Sequence, residues 1–569
     1  MDDLLIKGGT VYDGTGAPGQ TADVVVNSGR ITKIGRADSP AKRTIDADGL
    51  VVSPGFVDVH THFDAQVFWD TTLSPSPLHG VTSVIGGNCG FTIAPLEPEH
   101  GEYLMRMLAR VEGMPLVSLE KGVPWNWRSF SDYLDAIEGT LMPNAGFLVG
   151  HCPIRKLVMG ERAVGHEATR EELEQMKALL RASIQGGGLG FSSSWARTHN
   201  DADGQPVPSR HATREELIEL CSVVSEHPGT VGVEFIPTVG RFDEEVYQLL
   251  TDMSVAANRQ LNWNVIFAMS RHREAIEEKL QASDYARERG GKVLALTAPM
   301  PAETRLNFES GFVLDALDGW SEPMALGAEE KKALLSDPAR RAALDEKAQN
   351  SKTFRGLARW ERLRIGEAWN DKHRHLEGRT IGEIAEERGQ APFDALCDLV
   401  VADELKTGLY PPPAGTDDDS WALRSELWHD DRTLVGASDA GAHLDLLATF
   451  NFSTSLLESS RTRGGIELSE AIRQITDLPA RTYGLTERGR LREGWHADIA
   501  VFESDRVAPS VTEVREDLPG GAWRIYGQAE GMRHVVVNGV EVVEGKRFTD
   551  ARPGTLLRAG RDTRGVALS

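Results

Sequence analysis

Apolar and polar positions alternate along the first 50 residues of the chain. Three stretches carry the pattern, LLIKGGTVYDG, ADVVVNSGRITKIG and RTIDADGLVV, with breaks at glycine or aspartate. A period of two residues is typical of strands with one buried face, and the breaks are typical of turns. The pattern predicts a small antiparallel sheet over residues 1–53.

From residue 54 onward, short apolar segments alternate with helical patterns. The eight segments are PGFVDVHTH, VTSVIGGNCG, AGFLVGHCPIR, GGLGFSSSW, GTVGVEFIP, LNWNVIFAM, KVLALTAP and TLVGASDAGAH. Buried strands that alternate with helices predict an α/β fold, and eight of them predict a (β/α)8 TIM barrel, here over residues 54–484. Two of the helices open at Thr169 and Thr213 with a glutamate three residues on, which predicts capping boxes.

Two further segments complete the predicted organisation. A helix-rich insertion at about 301–413 is too long for an ordinary barrel loop, and we expect it to form a lid or an oligomer surface. Strand patterns return after residue 485 in GRLREGWHADIAVFE and MRHVVVNGVEVVEGKRF. We therefore expect residues 1–53 and 485–569 to build one small β-sandwich domain, which the barrel divides in sequence.

Composition and charge favour a small-molecule partner. The chain has 569 residues and a formal net charge of −23, which argues against nucleic acid or an anionic membrane as the main partner. The start MDDLLIKGGTV has acidic residues where a secretory signal has basic ones, and the chain lacks an apolar run of about 18 residues. We expect a cytoplasmic protein, with homo-oligomers left open. The four cysteines are scattered, which favours free thiols over a disulfide framework.

Side chains that bind metals follow three of the predicted strands. His60 and His62 end the first strand, and a period of two places both on one face. Cys89 ends the second strand and Asp439 the eighth, so that all four converge at the mouth of a barrel. Imidazole, thiolate and carboxylate are zinc ligands. Taken singly, each has an ordinary alternative: a surface histidine pair, a small buried cysteine, and a capping or turn aspartate.

Five motifs resemble the amidohydrolase superfamily and, within it, the N-acyl-D-amino-acid deacylase (D-aminoacylase) branch: PGFVDVHTHFDA, HGVTSVIGGNCG, VGHCPIRKLVMG, GASDAGAH and PARTYGLTERGRLREGWHADIAVF. The resemblance implies a metal-bearing barrel with a small β-sandwich that hydrolyses amide or related bonds. It also implies that His60, His62 and Asp439 match the first metal position, that Cys89 matches the cysteine ligand of the deacylase branch, and that Asp439 matches the general base.

The expected chemistry assigns roles to Asp439 and to two further histidines. Zinc lowers the pKa of a bound water to about 7, and a carboxylate such as Asp439 can take its proton and later return it to the leaving nitrogen. His151, at the end of the third strand, is a candidate to hold the substrate carbonyl oxygen, with a core or capping histidine as the alternative. His443 is a weaker candidate for substrate binding.

The chain departs from the family pattern on the fifth and sixth strands. Glu234 and Asn264 stand at or near the positions where the family has histidine ligands. Glutamate is an acceptable zinc ligand and asparagine a poor one, so we expect one tight zinc site, which Glu234 could extend, and a second site that is weak or absent. Asn264 is then assigned to substrate binding. Val265 and Ile266 replace the basic residue expected to hold a substrate carboxylate.

The segment GFSSSWARTHNDADG after the fourth strand offers a replacement for that basic residue. Arg197 could clamp a substrate carboxylate, with His199 beside it. A structural arginine paired with Asp201 or Asp203 is the alternative.

Two classes of function remain open. The first is a zinc-dependent hydrolase of carbon–nitrogen bonds, acting on an N-acyl amide or, as a subordinate reading, a cyclic amide. The second is a non-catalytic scaffold that keeps the fold. Retention of His60, His62, Cys89 and Asp439 favours the enzyme, whereas Glu234 and Asn264 keep the scaffold open.

Overall fold

The computed structural model describes residues 1–301, 303–352 and 355–568. Its centre is a barrel of parallel strands, each paired with the next along the chain. A bridge between Thr61 and Ala440 closes the barrel, and the His62 N–H donates to the Ala440 carbonyl at 2.7 Å. The predicted TIM barrel is thereby confirmed. Its eight strands are Phe56–Asp58, Val81–Gly86, Asn144–Phe147 (continued by Val149–Gly150), Gly190–Ser194, Gly232–Ile236, Leu261–Ile266, Val293–Thr297 and Thr433–Val435.

Helices follow the strands, and two of them begin at the predicted threonines. At Thr169 both hydrogen bonds of the predicted capping box with Glu172 are present. At Thr213 the side chain accepts the N–H of Glu216, but the Glu216 carboxylate pairs with Arg155. The second predicted capping box is therefore wrong, because a buried ion pair takes up the glutamate. The helices of this part of the chain are Gly101–Val111, Leu116–Gly122, Phe130–Ile137, His151–Met159, Arg170–Gln185, Arg214–Ser225, Glu244–Ala257, Arg273–Glu288, Asp418–His429, Phe452–Thr462, Leu468–Ile475 and Asp477–Thr482.

Strands from both ends of the chain form one sheet. Ile499–Phe502 joins the two ends, because it pairs with Val51–Pro54 on one side and with Met532–Val537 on the other. In Asp2–Val11 the consecutive residues Leu4, Leu5 and Ile6 are all buried, so the burial of this stretch does not follow the predicted period of two. The other strands of the sheet are Asp2–Val11, Gln20–Asn27, Arg30–Gly35, Ala41–Asp46, Val540–Glu544 and Arg547–Phe548.

The direction of pairing at the N-terminal end differs from the prediction. Asp2–Val11 pairs antiparallel with Gln20–Asn27 but parallel with Ala41–Asp46 and with Val51–Pro54. The sheet is therefore mixed, and the expectation of a purely antiparallel sheet is wrong. Alternation of apolar and polar positions shows which face of a strand is buried, but it does not show in which direction the neighbouring strand runs.

The inserted segment forms a compact unit of its own, made of Pro301–Ala414 with His443–Ala448. Its core contains the stacked rings of Trp320 and Trp360, with Phe393 packed against both. Its helices are Ser321–Ala325, Ala328–Ser336, Pro338–Gln349, Ile381–Arg388 and Pro392–Ala402, and Arg364–Ile365 pairs antiparallel with Leu409–Tyr410.

Among the residues that the structure describes, no helix combines the length and the apolar character needed to span a bilayer. The four cysteines, Cys89, Cys152, Cys221 and Cys397, are all buried free thiols, as predicted.

Candidate metal site

His60 and His62 lie side by side just beyond the end of the first barrel strand. The backbone there stays extended, because the Thr61 N–H donates to the Ile85 carbonyl of the second strand at 3.0 Å. Both histidines are buried, with exposed fractions of 0% and 2%, and their ring centroids are 5.2 Å apart. The period of two residues has placed both rings on one side, as the sequence predicts.

Cys89 and Asp439 approach the two rings from the second and eighth strands. Cys89 Sγ is 3.7 Å from His60 Nε2 and 3.9 Å from His62 Nε2. Asp439 Oδ1 is 3.1 Å from His60 Nε2 and 3.7 Å from His62 Nε2. The Asp439 side chain is 24% exposed, whereas the histidines are almost fully buried. Four ligand-bearing residues thus converge, and Asp439 is the one whose side chain is partly exposed.

The spacing of these atoms fits a zinc ion. With bonds of about 2.0–2.1 Å to nitrogen or oxygen and about 2.3 Å to sulfur, ligand atoms of a tetrahedral site lie roughly 3.3–3.8 Å apart. Cys89 Sγ lies 3.7 and 3.9 Å from the two histidine Nε2 atoms, and the ligand atoms of His60, His62 and Cys89 all lie within 4.8 Å of one another. Asp439 Oδ1 lies against both rings, beside this group of three. The donor atoms are also of the types that zinc binds, so the residues present fit the metal.

Burial and neighbouring side chains shift the pKa values of Asp439 and Cys89. Burial favours the protonated carboxyl of Asp439, but hydrogen bonds from His60 and His62 outweigh it and hold the Asp439 pKa well below its usual range. Burial raises the pKa of the Cys89 thiol, and the carboxylate of Glu234 adds to that increase. These pKa directions favour an ionised Asp439 and a protonated Cys89 thiol.

Glu234 and Asn264 are bonded to each other where the family pattern has histidines. Asn264 Nδ2 donates to Glu234 Oε1 at 3.1 Å, and the Cys89 backbone N–H donates to Glu234 Oε2 at 2.6 Å. Asn264 Nδ2 also lies 3.5 Å from His60 Nε2. Burial raises the pKa of Glu234 to about 8. Both residues border the cluster, and their predicted roles in metal and substrate binding stay predictions.

Glu112 is a neighbour of the site that the sequence reasoning missed. Its Oε1 lies 3.3 Å from His62 Nδ1, and the glutamate is 3% exposed. It follows the helix Gly101–Val111, in which Leu104 and Leu108 are buried. Since residues four apart lie on one helix face, Leu104, Leu108 and Glu112 form one row. A carboxylate that continues a buried apolar row was the signal that could have revealed it.

His151 is engaged in a buried network. Its Nδ1 is 2.8 Å from Ser193 Oγ, and its Nε2 is 2.8 Å from Glu216 Oε1. Arg155 donates to the same glutamate at 2.5 Å. Both ring nitrogens thus have protein partners, and the role of His151 at a substrate carbonyl stays a prediction.

The remaining predicted substrate residues lie in different surroundings. Arg197 is exposed, and the alternative partner Asp203 pairs with Arg106. His199 Nδ1 is 2.7 Å from Ser194 Oγ, and its ring packs edge-on against Phe91, two residues after Cys89. His443 belongs to the inserted unit, where its ring stacks on Phe312. Their roles in substrate binding also stay predictions.

Comparison with known proteins identifies the family. A model described as the amidohydrolase family matches residues 43–543, which is most of the chain. The chain belongs to the amidohydrolase family. It is therefore a metal-dependent hydrolase that acts on carbon–nitrogen bonds other than peptide bonds.

Two of the similar proteins are named D-aminoacylase and one is named N-acyl-D-glutamate deacylase. D-aminoacylase from Alcaligenes xylosoxydans xylosoxydans is 28% identical over 98% of this chain and 97% of its own length. A solved D-aminoacylase, described as having a binuclear metal centre with one-metal activation and second-metal attenuation, is 27% identical with a TM-score of 0.63, over 98% of this chain and 100% of that chain. N-acyl-D-glutamate deacylase from Bordetella bronchiseptica, solved with zinc and a phosphonate mimic of the tetrahedral intermediate, is 25% identical with a TM-score of 0.63 and the same coverage.

Among the described residues of this amidohydrolase, His60, His62 and Cys89 form a group that could hold a metal ion. Asp439 lies against both histidine rings. The similarity to D-aminoacylase supports the branch to which the sequence motifs point.

Proposed function

We propose that this amidohydrolase is a zinc-dependent deacylase of N-acyl amino acids or closely related N-acyl amides. The observation that carries the proposal is the convergence of His60, His62, Cys89 and Asp439, with separations of 3.1–3.9 Å. The deacylases named above, one of them solved with zinc, support the substrate class and the metal.

The residues divide the chemistry between them. His60, His62 and Cys89 would hold the ion, with Asp439 beside it and one position left for water. A bound zinc ion supplies a Lewis acid that polarises the scissile carbonyl and makes water nucleophilic near neutral pH. Asp439 then accepts the proton of the attacking water and returns it to the leaving nitrogen. Its 24% side-chain exposure suits a base that meets an incoming substrate.

One tight metal site is part of the proposal. Glu234 and Asn264 stand at the second metal position of the family pattern, where they bond to each other, and Glu234 also accepts the Cys89 backbone N–H. A second ion would therefore find few free strong donors there, and it should bind weakly. Elemental analysis after exhaustive dialysis should find close to one zinc per chain, and two tightly held ions would contradict this part of the proposal.

The residues expected to contact the substrate differ from those of the family pattern. Val265 and Ile266 offer no charge at the position where the family pattern has a basic residue. Arg197 and His199, after the fourth strand, are proposed to supply polar contacts instead, and Asn264 to contact the substrate near the metal. We therefore propose, as substrates, small-molecule amides that carry less negative charge than a simple N-acyl-D-amino acid. We also propose that the protein acts in the cytoplasm.

A hydrolysis screen tests the function. N-acyl amino acids of both hands and cyclic amides are incubated with purified protein, with and without zinc and after chelation. We expect turnover of N-acyl amino acids that chelation abolishes and zinc restores. Undiminished activity in chelated, metal-free protein would overturn the mechanism. Tight zinc binding without turnover of any amide would favour the scaffold alternative.

A further inference from the structure

The turn at residues 87–90, which carries Cys89, is bound by side chains from three other parts of the barrel. Asp64 Oδ2 accepts the Gly87 N–H at 3.1 Å. Glu234 Oε2 accepts the Cys89 N–H at 2.6 Å. Ser192 Oγ accepts the Gly90 N–H at 3.0 Å and donates to the Gly87 carbonyl at 2.5 Å. The turn is thus held at Gly87, Cys89 and Gly90 by side chains from the segment after the first strand and from the fifth and fourth strands.

The conformation of Cys89 explains why such contacts are needed. Its φ of +57° lies in the left-handed region, which disfavours residues that carry a Cβ. In this conformation the Cys89 thiol lies 3.7 Å from His60 Nε2 and 3.9 Å from His62 Nε2. A disfavoured backbone conformation persists only where surrounding contacts fix it. The hydrogen bonds to the turn therefore determine where the thiol points.

Glu234 is the member of this set with both oxygens engaged. One accepts the Cys89 N–H and the other accepts the Asn264 side-chain amide at 3.1 Å. The residue is 0% exposed, so solvent cannot replace either bond. An unsatisfied backbone N–H in such a position is costly, which makes the contact to Cys89 specific.

We propose that Glu234 is a positioning residue, which holds the Cys89 backbone so that the thiol faces His60 and His62, and that it is not itself a metal ligand. Asn264 then supports Glu234 in place of a second ion. The inference rests on the proposed metal site. It gives Glu234, which stands where the family pattern has a histidine, the role of holding the Cys89 turn within that site.

Two substitutions separate positioning from ligation. Glu234→Gln keeps an acceptor for the Cys89 N–H, and its NH2 group can donate to Asn264 once the Asn264 amide rotates. Glu234→Ala removes the acceptor. Because an amide is a poor zinc ligand, a ligand role would be lost in both variants, whereas a positioning role survives in the first.

The first measurement is zinc affinity, by competition with a chromogenic chelator. We expect Glu234→Gln to stay within about threefold of the wild type and Glu234→Ala to bind at least about tenfold more weakly, as for lost supporting contacts in metal sites. An equal loss in both variants would show that Glu234 is a ligand. Full affinity in Glu234→Ala would show that it has no part in the site. If Glu234→Ala does not fold, the Gln variant decides alone: retained affinity supports positioning and lost affinity overturns it.

The second measurement needs no metal. The alkylation rate of Cys89 by iodoacetamide in metal-free protein, followed by mass spectrometry, reports how firmly the turn holds the thiol. We expect it to rise at least tenfold more in Glu234→Ala than in Glu234→Gln, because both variants lose the charge of Glu234 but only the first loses the acceptor of the Cys89 N–H. The buried thiols Cys152, Cys221 and Cys397 are internal controls for global opening. An unchanged Cys89 rate in Glu234→Ala would overturn the inference. If the protein binds no zinc, the proposed function fails, but this measurement still decides the role of Glu234.

Discussion

Glu112 Oε1 lies 3.3 Å from His62 Nδ1, while His62 Nε2 faces Cys89 and Asp439. The side chains of Glu112 and His62 are only 4% and 3% exposed. Histidines that bind metals commonly give their second ring nitrogen to a carboxylate, which fixes the ring orientation and makes the ligand nitrogen more basic. Glu112 is placed to act on His62 through its charge, because the contact is an ion pair in which the His62 Nδ1 has no hydrogen bond to a described residue. The sequence shows Glu112 only as the residue after a helix.

Replacing Glu112 should weaken the metal site without unfolding the protein. For Glu112→Ala we expect zinc affinity to fall by about 10–100-fold, because His62 loses the group that orients it. Glu112→Gln keeps an acceptor and should lose less. Competition with a chelator gives the affinity, and Glu120→Gln on the exposed face of the next helix is the matched control. Wild-type affinity in Glu112→Ala would show that the contact does not support the ligand.

Zinc binding should release protons and should tighten as the pH rises. Burial opposes the charged form of His62, but Glu112 and Asp439 outweigh it and raise the His62 pKa to about 9. Burial also raises the pKa of the Cys89 thiol. A zinc ligand must be a neutral imidazole or a thiolate, so near neutral pH both residues must give up a proton.

The affinity should therefore rise by up to about tenfold per pH unit for each displaced proton. Calorimetry in two buffers of different ionisation enthalpy counts the protons released. In Glu112→Gln the His62 pKa should fall, so fewer protons should be released. An affinity that does not change between about pH 6 and pH 8 would contradict the protonation states assigned here.

The residues that bear ligands could be predicted because each follows a buried strand. The alternation in a strand places His60 and His62 on one face, and parallel strands bring Cys89 and Asp439 to the same end of the barrel. Local patterns of this kind survive in the sequence because the barrel core requires apolar residues such as Val57 and Val59.

Contacts between distant segments could not be predicted in the same way. The hydrogen bond from Cys89 to Glu234 joins residues 145 positions apart, and no periodic pattern records which oxygen meets which N–H. Glu216 shows the same limit, because its spacing from Thr213 indicates a helix cap, whereas the fold turns its carboxylate to Arg155. Long-range partners override a local preference when both groups are buried.

The substitution Asp439→Asn should distinguish the role of Asp439 as general base from its role in metal binding. The amide keeps the size of the carboxylate but cannot accept the water's proton, so we expect kcat to fall by at least about a hundredfold. His60 and His62 remain, so zinc should still bind, although more weakly. Steady-state kinetics at saturating zinc, with metal content measured in the same samples, checks both. A kcat near that of the wild type would place the base on another residue.

The network around His151 can be tested through Glu216. Loss of its charge leaves His151 without an ionised partner, while the zinc ligands are untouched. A fall in kcat of more than about tenfold in folded Glu216→Gln, at unchanged zinc content, would support the predicted role of His151 at the substrate carbonyl. An unchanged kcat would assign His151 to the network alone.

Stability should respond to the same substitution, because Glu216 and Arg155 are 2% and 0% exposed in their side chains. Burial opposes the charged carboxylate, but His151 and Arg155 outweigh it and lower the Glu216 pKa. Glu216→Gln leaves the Arg155 charge buried without a counter-charge, which typically costs about 3–5 kcal/mol. Thermal unfolding should therefore begin at a lower temperature than in the wild type. Glu215→Gln, an exposed neighbour on the same helix, should change stability by less than about 0.5 kcal/mol. Equal midpoints for the two variants would show that the buried pair contributes nothing to stability.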